Sequence, residues 1–350
     1  MKTITVSASK NYDVKIGAGL LPSLGAETAA VCKVGTAAII SDSTVWPLYG
    51  KAAKESLENA GYRVVSYVFP AGEASKCGAT YLAILNFLAQ SHVTRSDCVI
   101  ALGGGVVGDI SGFAAATFLR GVAYIQVPTT LLAAVDSSVG GKTAIDLEAG
   151  KNLAGAFYQP QLVLCDTDTL HSLPVDIFQD GCAEVIKYGV LYDPVLFAHL
   201  TEKGLDFDRE SVIARCVELK RDVVMEDEFD TGARQKLNLG HTIGHGVEAR
   251  SNFTVSHGKA VAIGMAIVCR AAVKYGICSA GTRDQIRETI QKFGLPCSTE
   301  HSAQELYESA LSDKKRAGGT VNLVVPERIG SCILRPTPVE ELKSFIEAGL

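Results

Sequence analysis

The most constraining feature of the sequence is a wholly apolar segment that runs directly into a cluster of glycines. Residues 98–102 read CVIAL, and GGGVVGD follows at 103–109. A short, continuous apolar run is typical of a strand buried on both faces of a parallel sheet. The glycines fit the spacing GxGxxG between a strand and a helix, where backbone amides at the helix N-terminus can bind phosphate. The pattern predicts a nucleotide-binding α/β domain.

This glycine cluster differs from the usual dinucleotide-binding fingerprint in two respects. It lies deep in the chain instead of after the first strand, and no acidic residue ends the following strand. That strand, predicted at 123–127, runs instead into Pro128, Thr129 and Thr130. We therefore interpret the cluster as a phosphate-binding loop with a different arrangement.

Strands and helices alternate through the first half of the chain. Apolar and alternating segments predict two strands within 2–17 and further strands at 37–41, 63–69, 98–102, 123–127 and 161–166, with helices at 77–90 and 131–139. The alternation indicates a mostly parallel sheet covered on both faces. From Val175 onwards, apolar residues recur at helical spacing. We expect an α/β domain at 1–173 and an all-helical domain at 174–350.

Composition limits the kinds of partner and compartment. The 350 residues carry a formal net charge of -5, which argues against nucleic-acid and anionic-membrane partners. The N-terminal segment alternates like a strand and lacks the apolar core of a signal peptide. The most membrane-like stretch, 98–119, contains Asp109 and several glycines and serines, so we predict no membrane span. The ten cysteines include no CxxC pair and indicate a reduced, cytoplasmic protein.

Three histidines lie close together in the second half. His241 and His245 are four residues apart, so on a helix they share one face. His257 follows a short polar break that can bring a second helix back beside the first. Imidazoles on facing helices, completed by a carboxylate from a third helix, make a divalent metal site. An isolated HxxxH pair is more often an ordinary helical pair, but Arg234 and Asn238 nearby favour a functional site.

A polar, glycine-rich segment offers a second group of candidates. Asp136, Lys142, Lys151 and Asn152 fall within what we interpret as irregular sequence at 136–152. Such side chains suit an anion or polyol site, although a solvated loop with surface lysines would show the same pattern. Asp42 ends an earlier strand and could accept from a ribose or adenine group. Capping of the following turn explains it equally well and is favoured from the residues alone.

Two further side chains, Glu184 and Lys187, lie three apart on one face of an apolar predicted helix. The simpler interpretation is an intrahelical ion pair. The alternative is a metal-binding carboxylate beside a catalytic or phosphate-binding lysine. The residues alone leave both open.

Eight motifs together resemble the 3-dehydroquinate synthase family. In chain order they are GEASK (72–76), GGGVVGD (103–109), FLRG (118–121), VPTTLLAAVDSSVGGKTAID (127–146), GKNLAGAFYQP (150–160), AEVIKYG (183–189), LNLGHTIGHGVE (237–248) and SHGKAVAIGM (256–265). They cover both expected domains in order. The run from 127 to 160 and the LNLGHTIGH run are highly specific, whereas GEASK alone is not.

The resemblance implies an α/β nucleotide-binding domain, a helical metal-binding domain and a homodimer. One divalent ion, zinc or cobalt, would be bound by Glu184, His241 and His257. NAD contacts are implied for Asp42, Glu73, Lys76, Gly104, Gly105, Val106, Asp109, Thr129, Thr130, Lys142, Lys151 and Ser172. Substrate contacts are implied for Asp136, Lys142, Asn152, Lys187, Lys220, Arg234, Asn238, His245 and Lys315, the last preferred over Lys314, with Arg120 reaching the partner subunit's site.

The implied reaction converts 3-deoxy-D-arabino-heptulosonate 7-phosphate to 3-dehydroquinate and phosphate, in the shikimate pathway to aromatic amino acids. NAD takes a hydride from C5, phosphate leaves, the hydride returns, and the opened ring closes by an aldol step. The net reaction is therefore a phosphate lyase. It requires polar or cationic groups for the phosphate (Lys142, Asn152, Asn238 and His245) and for the carboxylate (Lys220 and Arg234).

Two other functions fit parts of the pattern. A related sugar phosphate cyclase that makes a cyclitol would share the metal and NAD motifs but change the phosphate- or carboxylate-facing residues. A metal-dependent polyol dehydrogenase would release NADH and would not need the cations Lys142, Lys220 and Arg234. A non-enzymatic binding module is disfavoured by the density of polar groups in the motifs.

Overall fold

The computed structural model describes residues 1–252, 254–314 and 319–350. Lys315 therefore lies outside the described residues. The chain forms two compact units. We call Met1–Leu173 with Arg209–Phe229 the first unit, and Pro174–Asp208 with Asp230–Leu350 the second unit.

The first unit contains nine strands and five α-helices. The strands are β1 (Lys2–Ser7), β2 (Asn11–Gly17), β3 (Thr36–Asp42), β4 (Arg63–Phe69), β5 (Cys98–Gly103), β6 (Ala123–Pro128), β7 (Lys142–Leu147), β8 (Gly150–Phe157) and β9 (Leu162–Asp166). Its α-helices are α1 (Leu24–Val31), α2 (Lys51–Asn59), α3 (Gly78–Gln90), α4 (Gly105–Thr117) and, later in the chain, α7 (Arg209–Glu226). Seven strands form one sheet of order β1-β2-β9-β6-β5-β3-β4.

The sheet is parallel except where β1 pairs with β2. The central strands β3, β5 and β6 are buried along nearly their whole length, as their continuous apolar sequence predicts. Leu24 of α1 and Leu57 of α2 pack on one face. Ile84 of α3 and Ile110 of α4 pack on the other. The predicted mostly parallel α/β domain is confirmed.

From Lys142 onwards, the segment that we interpreted as irregular is instead part of a β-hairpin, so that interpretation was wrong for these residues. Strands β7 and β8 pair antiparallel from Lys142 opposite Phe157 to Leu147 opposite Gly150. Buried and more exposed residues alternate along β7, as expected for a strand with one covered face. The alternation is hidden in the sequence because the buried Thr143 is polar and the exposed Leu147 is apolar. The hairpin therefore presents Lys142 and Asn152 from ordered strands.

The second unit is mostly helical. Its helices, numbered along the whole chain, are α5 (Val175–Leu191), α6 (Pro194–Lys203), α8 (His241–Arg250), α9 (His257–Lys274), α10 (Ala280–Lys292), α11 (Ala303–Lys314) and α12 (Val339–Gly349), while α7 (Arg209–Glu226) belongs to the first unit. One antiparallel hairpin, β10 (Thr320–Arg328) with β11 (Ser331–Pro338), departs from the all-helical expectation. Burial along β10 alternates from Thr320 to Leu323 and is continuous from Leu323 to Pro326, as in a strand whose middle is buried.

Helix α7 packs with the first unit, whereas the sequence analysis had assigned it to the second. Lys2 Nζ of β1 donates to Ser211 Oγ at 3.2 Å. Just beyond the helix, Glu228 accepts from the backbone N–H and the hydroxyl of Ser9 at 2.7 and 2.6 Å. Helical periodicity places apolar residues on a face but does not say which neighbour covers that face.

Helices α5 and α9 are buried over most of their length. Their position explains why apolar residues dominate both sequences. Across the described ranges, no helix combines the length and hydropathy needed to span a bilayer.

Candidate metal centre and cofactor-binding edge

Three potential metal ligands meet in the second unit. Glu184 lies on α5 and is 1% exposed, and His241 and His257 are the first residues of α8 and α9. Nε2 of His241 lies 3.4 Å from Glu184 Oε1, and Nε2 of His257 lies 3.3 Å from the same oxygen. Ligand atoms around a tetrahedral ion with bonds of about 2.1 Å are separated by about 3.4 Å. The observed spacing therefore fits one divalent ion.

A buried lysine completes the charge balance around Glu184. Lys187 Nζ pairs with Glu184 Oε2, and both side chains are 1% exposed. Burial alone would raise the pKa of Glu184, but Lys187 and His241 outweigh it and hold the pKa well below its usual range. The two interpretations from the sequence, an ion pair and a metal-binding carboxylate, are compatible, because the two carboxylate oxygens point to different partners.

The two histidines have opposite net pKa shifts, although Glu184 raises the pKa of both. Burial, followed by Lys187, lowers the pKa of His241 to about 4. Burial would also lower the pKa of His257, but hydrogen bonds to Glu184 and Glu248 raise it to about 10. His257 is therefore the histidine that is protonated, because its ring contacts both Glu184 and Glu248. A divalent ion needs both imidazoles neutral, so its binding displaces that proton.

Glu248 is a contact that the sequence analysis missed. Its carboxylate is 2% exposed, and Oε2 lies 3.3 Å from His257 Nδ1. It lies seven residues after His241, two turns along the same helix, and that spacing could have identified it. His245, Glu248 and His257 form a second group of closely spaced ligand atoms.

The other predicted residues of the second unit differ in exposure. Arg234 is 2% exposed and is the largest fully buried side chain described. Asn238 and His245 are exposed. The His245 ring centroid lies 5.5 Å from that of His241 and 6.2 Å from that of His257. The structure therefore brings His245 beside Glu184, His241 and His257, which we call the ligand triangle.

The glycine cluster of the first unit forms the start of α4. This helix begins without a side-chain cap and without an acidic residue in its first turn, which includes Val106. A Cβ at Gly104 would lie 2.9 Å from Thr130 Cγ2, so the backbone approaches Thr130 closely. The Thr129 hydroxyl is buried and has no hydrogen-bond partner in the described part of the chain. Amides and a hydroxyl are thus available to a phosphate-bearing ligand.

An ionic cluster lies beside this loop, at the carboxyl edge of the sheet. Lys76 Nζ donates to Asp109 Oδ2 at 2.5 Å and to Asn152 Oδ1 at 2.6 Å. Lys151 Nζ lies 3.3 Å from Glu73 Oε1. Burial would lower the pKa of Lys76, but Asp109 outweighs it and raises the pKa. Ligands of open parallel sheets bind at this edge, so the cluster suits a cofactor.

Lys220 and Asp136, both implied substrate contacts, pair with each other in the first unit. Their side chains form an ion pair, and Lys220 Nζ also donates to the Asp136 backbone carbonyl at 2.6 Å. Lys220 is 5% exposed. Because it lies on α7, it belongs to the first unit, whereas Arg234 belongs to the second.

The remaining predicted residues have simpler surroundings. Asp42 Oδ1 accepts from the backbone N–H groups of Thr44 and Val45 at 2.8 and 2.9 Å, the capping arrangement favoured from the sequence. Ser172 Oγ bonds Tyr49 Oη at 2.6 Å. Arg120 is exposed in a left-handed conformation, with φ of 66°.

Comparison with known proteins gives one consistent result. Family models described as 3-dehydroquinate synthase N-terminal and 3-dehydroquinate synthase C-terminal match residues 66–180 and 181–316. A 3-dehydroquinate synthase of Pelobacter propionicus is 45% identical over 98% of each chain. One of Enterococcus faecalis is 40% identical over 100% of each chain.

A solved structure supports the fold. The structure of 2-deoxy-scyllo-inosose synthase complexed with carbaglucose-6-phosphate, NAD+ and Co2+ matches over 100% of both chains, with a TM-score of 0.88 at 24% identity. With the family models covering most of the chain and relatives matching its full length, the chain belongs to the 3-dehydroquinate synthase family.

Proposed function

We propose that the chain is a 3-dehydroquinate synthase that uses NAD and one divalent ion. The observation that carries the proposal is the 45% identity over nearly the whole of a relative of that name. The ligand triangle, with its nitrogens 3.3 and 3.4 Å from Glu184 Oε1, supports the metal requirement independently. The substrate would be 3-deoxy-D-arabino-heptulosonate 7-phosphate.

The residues of the chain fit both the divalent ion and NAD. Glu184, His241 and His257 would hold the ion, and the start of α4 with Thr129, Lys76 and Asp109 would hold NAD. When bound, the ion supplies charge stabilisation for an alkoxide, and NAD accepts and returns a hydride.

The protein's own groups bind and orient the substrate. We assign Lys142, Asn152, Asn238 and His245 to the phosphate. We assign Lys220 and Arg234 to the carboxylate, since a guanidinium binds a carboxylate bidentately. Lys187 holds Glu184 in its ionised form, the form that a metal ion requires. Asp136 holds the Lys220 ammonium in place.

We also propose a cytoplasmic homodimer in which Arg120 acts in the partner's site. Arg120 is exposed and held in an unusual backbone conformation next to Leu119, whose φ is 50°. Such conformations cost free energy and often mark functional segments. All ten cysteines are free thiols, which suits a reducing compartment.

The decisive experiment follows two products together. The metal-loaded protein is incubated with the heptulosonate phosphate and NAD in less than stoichiometric amount, and phosphate and NADH absorbance are recorded. We expect phosphate release over many turnovers without net NADH, because the hydride returns within each turnover. NADH formed one-for-one with substrate would indicate a polyol dehydrogenase. Absence of phosphate release would reject the proposal.

A matched pair of variants tests the phosphate assignment. Lys142→Met removes an exposed cation from the start of β7. Lys51→Met removes another exposed cation, whose side chain is 88% accessible and lies on α2. We expect only the first to reduce phosphate release, and equal activities would reject the role of Lys142.

A further inference from the structure

Both histidines of the ligand triangle are held through the ring nitrogen that faces away from Glu184. His241 Nδ1 lies 3.1 Å from the backbone carbonyl of Leu239. His257 Nδ1 lies 3.3 Å from Glu248 Oε2. Nε2 of each ring therefore points to Glu184 Oε1. The two rings have the same orientation but different acceptors, one a backbone carbonyl and the other a buried carboxylate.

The acceptor determines which tautomer a neutral imidazole adopts. A neutral ring carries one N–H, and a metal ion binds only the nitrogen without it. An acceptor at Nδ1 keeps the proton there and leaves the Nε2 lone pair for the ion. A carboxylate also makes the ring a stronger donor to the metal than a neutral carbonyl does. His257 therefore depends on a side chain where His241 depends on the backbone.

Glu248 is placed for this role. It is 2% exposed, and a buried carboxylate is strongly disfavoured unless it is paired. It lies on α8, the helix that begins with His241, so one short helix supplies both a ligand and the support for the second ligand. A solvent-exposed carboxylate at this helical position would not need a partner, because water would solvate it.

We propose that Glu248 is a positioning residue for the metal centre, which holds His257 in the tautomer and orientation that present Nε2 to the ion. This inference rests on the ligand set of the proposed function, but it concerns metal binding and not turnover. Loss of such a supporting group typically weakens metal binding by about 10- to 100-fold.

The test measures zinc affinity of metal-free protein by competition with a chelating dye. Glu248→Gln keeps the shape and an accepting oxygen but loses the charge, and we expect binding about 10-fold weaker. Glu248→Ala loses the acceptor, and we expect about 100-fold. Glu308→Gln is the matched control, because the Glu308 carboxylate pairs with Arg250 Nη2 at 2.9 Å, at the opposite end of α8 from His241. We expect its affinity to stay within about twofold of the parent.

A second measurement separates positioning from loss of structure. Thermal unfolding of the metal-free variants shows whether each folds, and the visible spectrum of the cobalt-loaded forms reports the ligand geometry. An altered cobalt spectrum in the folded Glu248→Gln protein supports the proposal. Parental affinity and spectrum in both Glu248 variants would overturn it, as would an equal loss in Glu308→Gln.

The ligand assignment is tested separately with His257→Ala. Retention of zinc by that variant would remove His257 from the ligand set, whatever the outcome for Glu248. Loss of zinc in His257→Ala together with parental affinity in the Glu248 variants would reject only the positioning role.

Discussion

Gly264 allows the closest approach of helix α9 to the segment that carries His241. A Cβ built at Gly264 would lie 2.0 Å from the Gly240 carbonyl oxygen and 2.8 Å from its carbonyl carbon. Both are backbone atoms, and real Cβ contacts are essentially never under 3.0 Å. Gly240 has φ of 81° and directly precedes His241. Gly264→Ala must therefore push the two backbones apart by about 1 Å at the residue next to a ligand.

Two opposing contributions determine the change in the free energy of unfolding that Gly264→Ala causes. Forcing a methyl into a packed contact costs about 1–3 kcal/mol. Replacing glycine within a helix by alanine returns about 0.5–1 kcal/mol. We expect a net loss of up to about 2.5 kcal/mol of unfolding free energy. Metal bonds tolerate only about 0.2 Å, so a displacement of about 1 Å at His241 should weaken zinc binding by more than about tenfold.

The matched control is Gly246→Ala on α8. A Cβ there would meet its nearest atom, the Leu306 carbonyl oxygen, at 3.4 Å, an ordinary contact. We expect this variant to keep its zinc and to gain up to about 1 kcal/mol of unfolding free energy. Denaturant unfolding and zinc competition measure both quantities. Parental stability and zinc affinity in Gly264→Ala would refute the argument that backbone contact positions His241.

Two predictions concern the proposed activity. Arg234→Lys should lose at least roughly 1.5 kcal/mol of transition-state binding, because an ammonium cannot copy the bidentate fork, and an unchanged kcat/KM would remove Arg234 from carboxylate recognition. Mixing Arg120→Ala chains with His257→Ala chains should restore part of the activity, because hybrid dimers regain one intact site. No recovery after confirmed subunit exchange would mean that Arg120 acts within its own chain.

The sheet was predictable because its strands have continuous apolar sequence. The strand predicted at 63–69 has the observed bounds, and the one predicted at 98–102 extends by one residue. The hairpin of β7 and β8 was missed because the polar Thr143 is buried and the apolar Leu147 is exposed, and strand pairing depends on contacts that periodicity does not encode. For the same reason, the helical pattern of 209–226 did not reveal that α7 packs on the first unit.

The ligand triangle was predictable in part because its chemistry restricts residue type. His241 and His257 flank a break between helices, and the structure shows both at helix starts beside Glu184. The support from Glu248 was not predicted, because its seven-residue spacing from His241 shows only that the two side chains share a helix face. Its role depends on where the next helix begins, which is a property of the packed structure.

Three of the lysines assigned to ligands have carboxylate partners within the protein. Lys76 pairs with Asp109, Lys220 with Asp136, and Lys187 with Glu184. A buried ammonium without a partner is strongly disfavoured, so the paired carboxylates stabilise these lysines at low solvent exposure. An anionic ligand must compete with the resident carboxylate, which lowers its net gain. It meets a cation that is already ordered and partly desolvated, so less conformational entropy is lost on binding. The pairs therefore trade affinity for defined geometry, which is what a reaction that must hold one substrate through several steps requires.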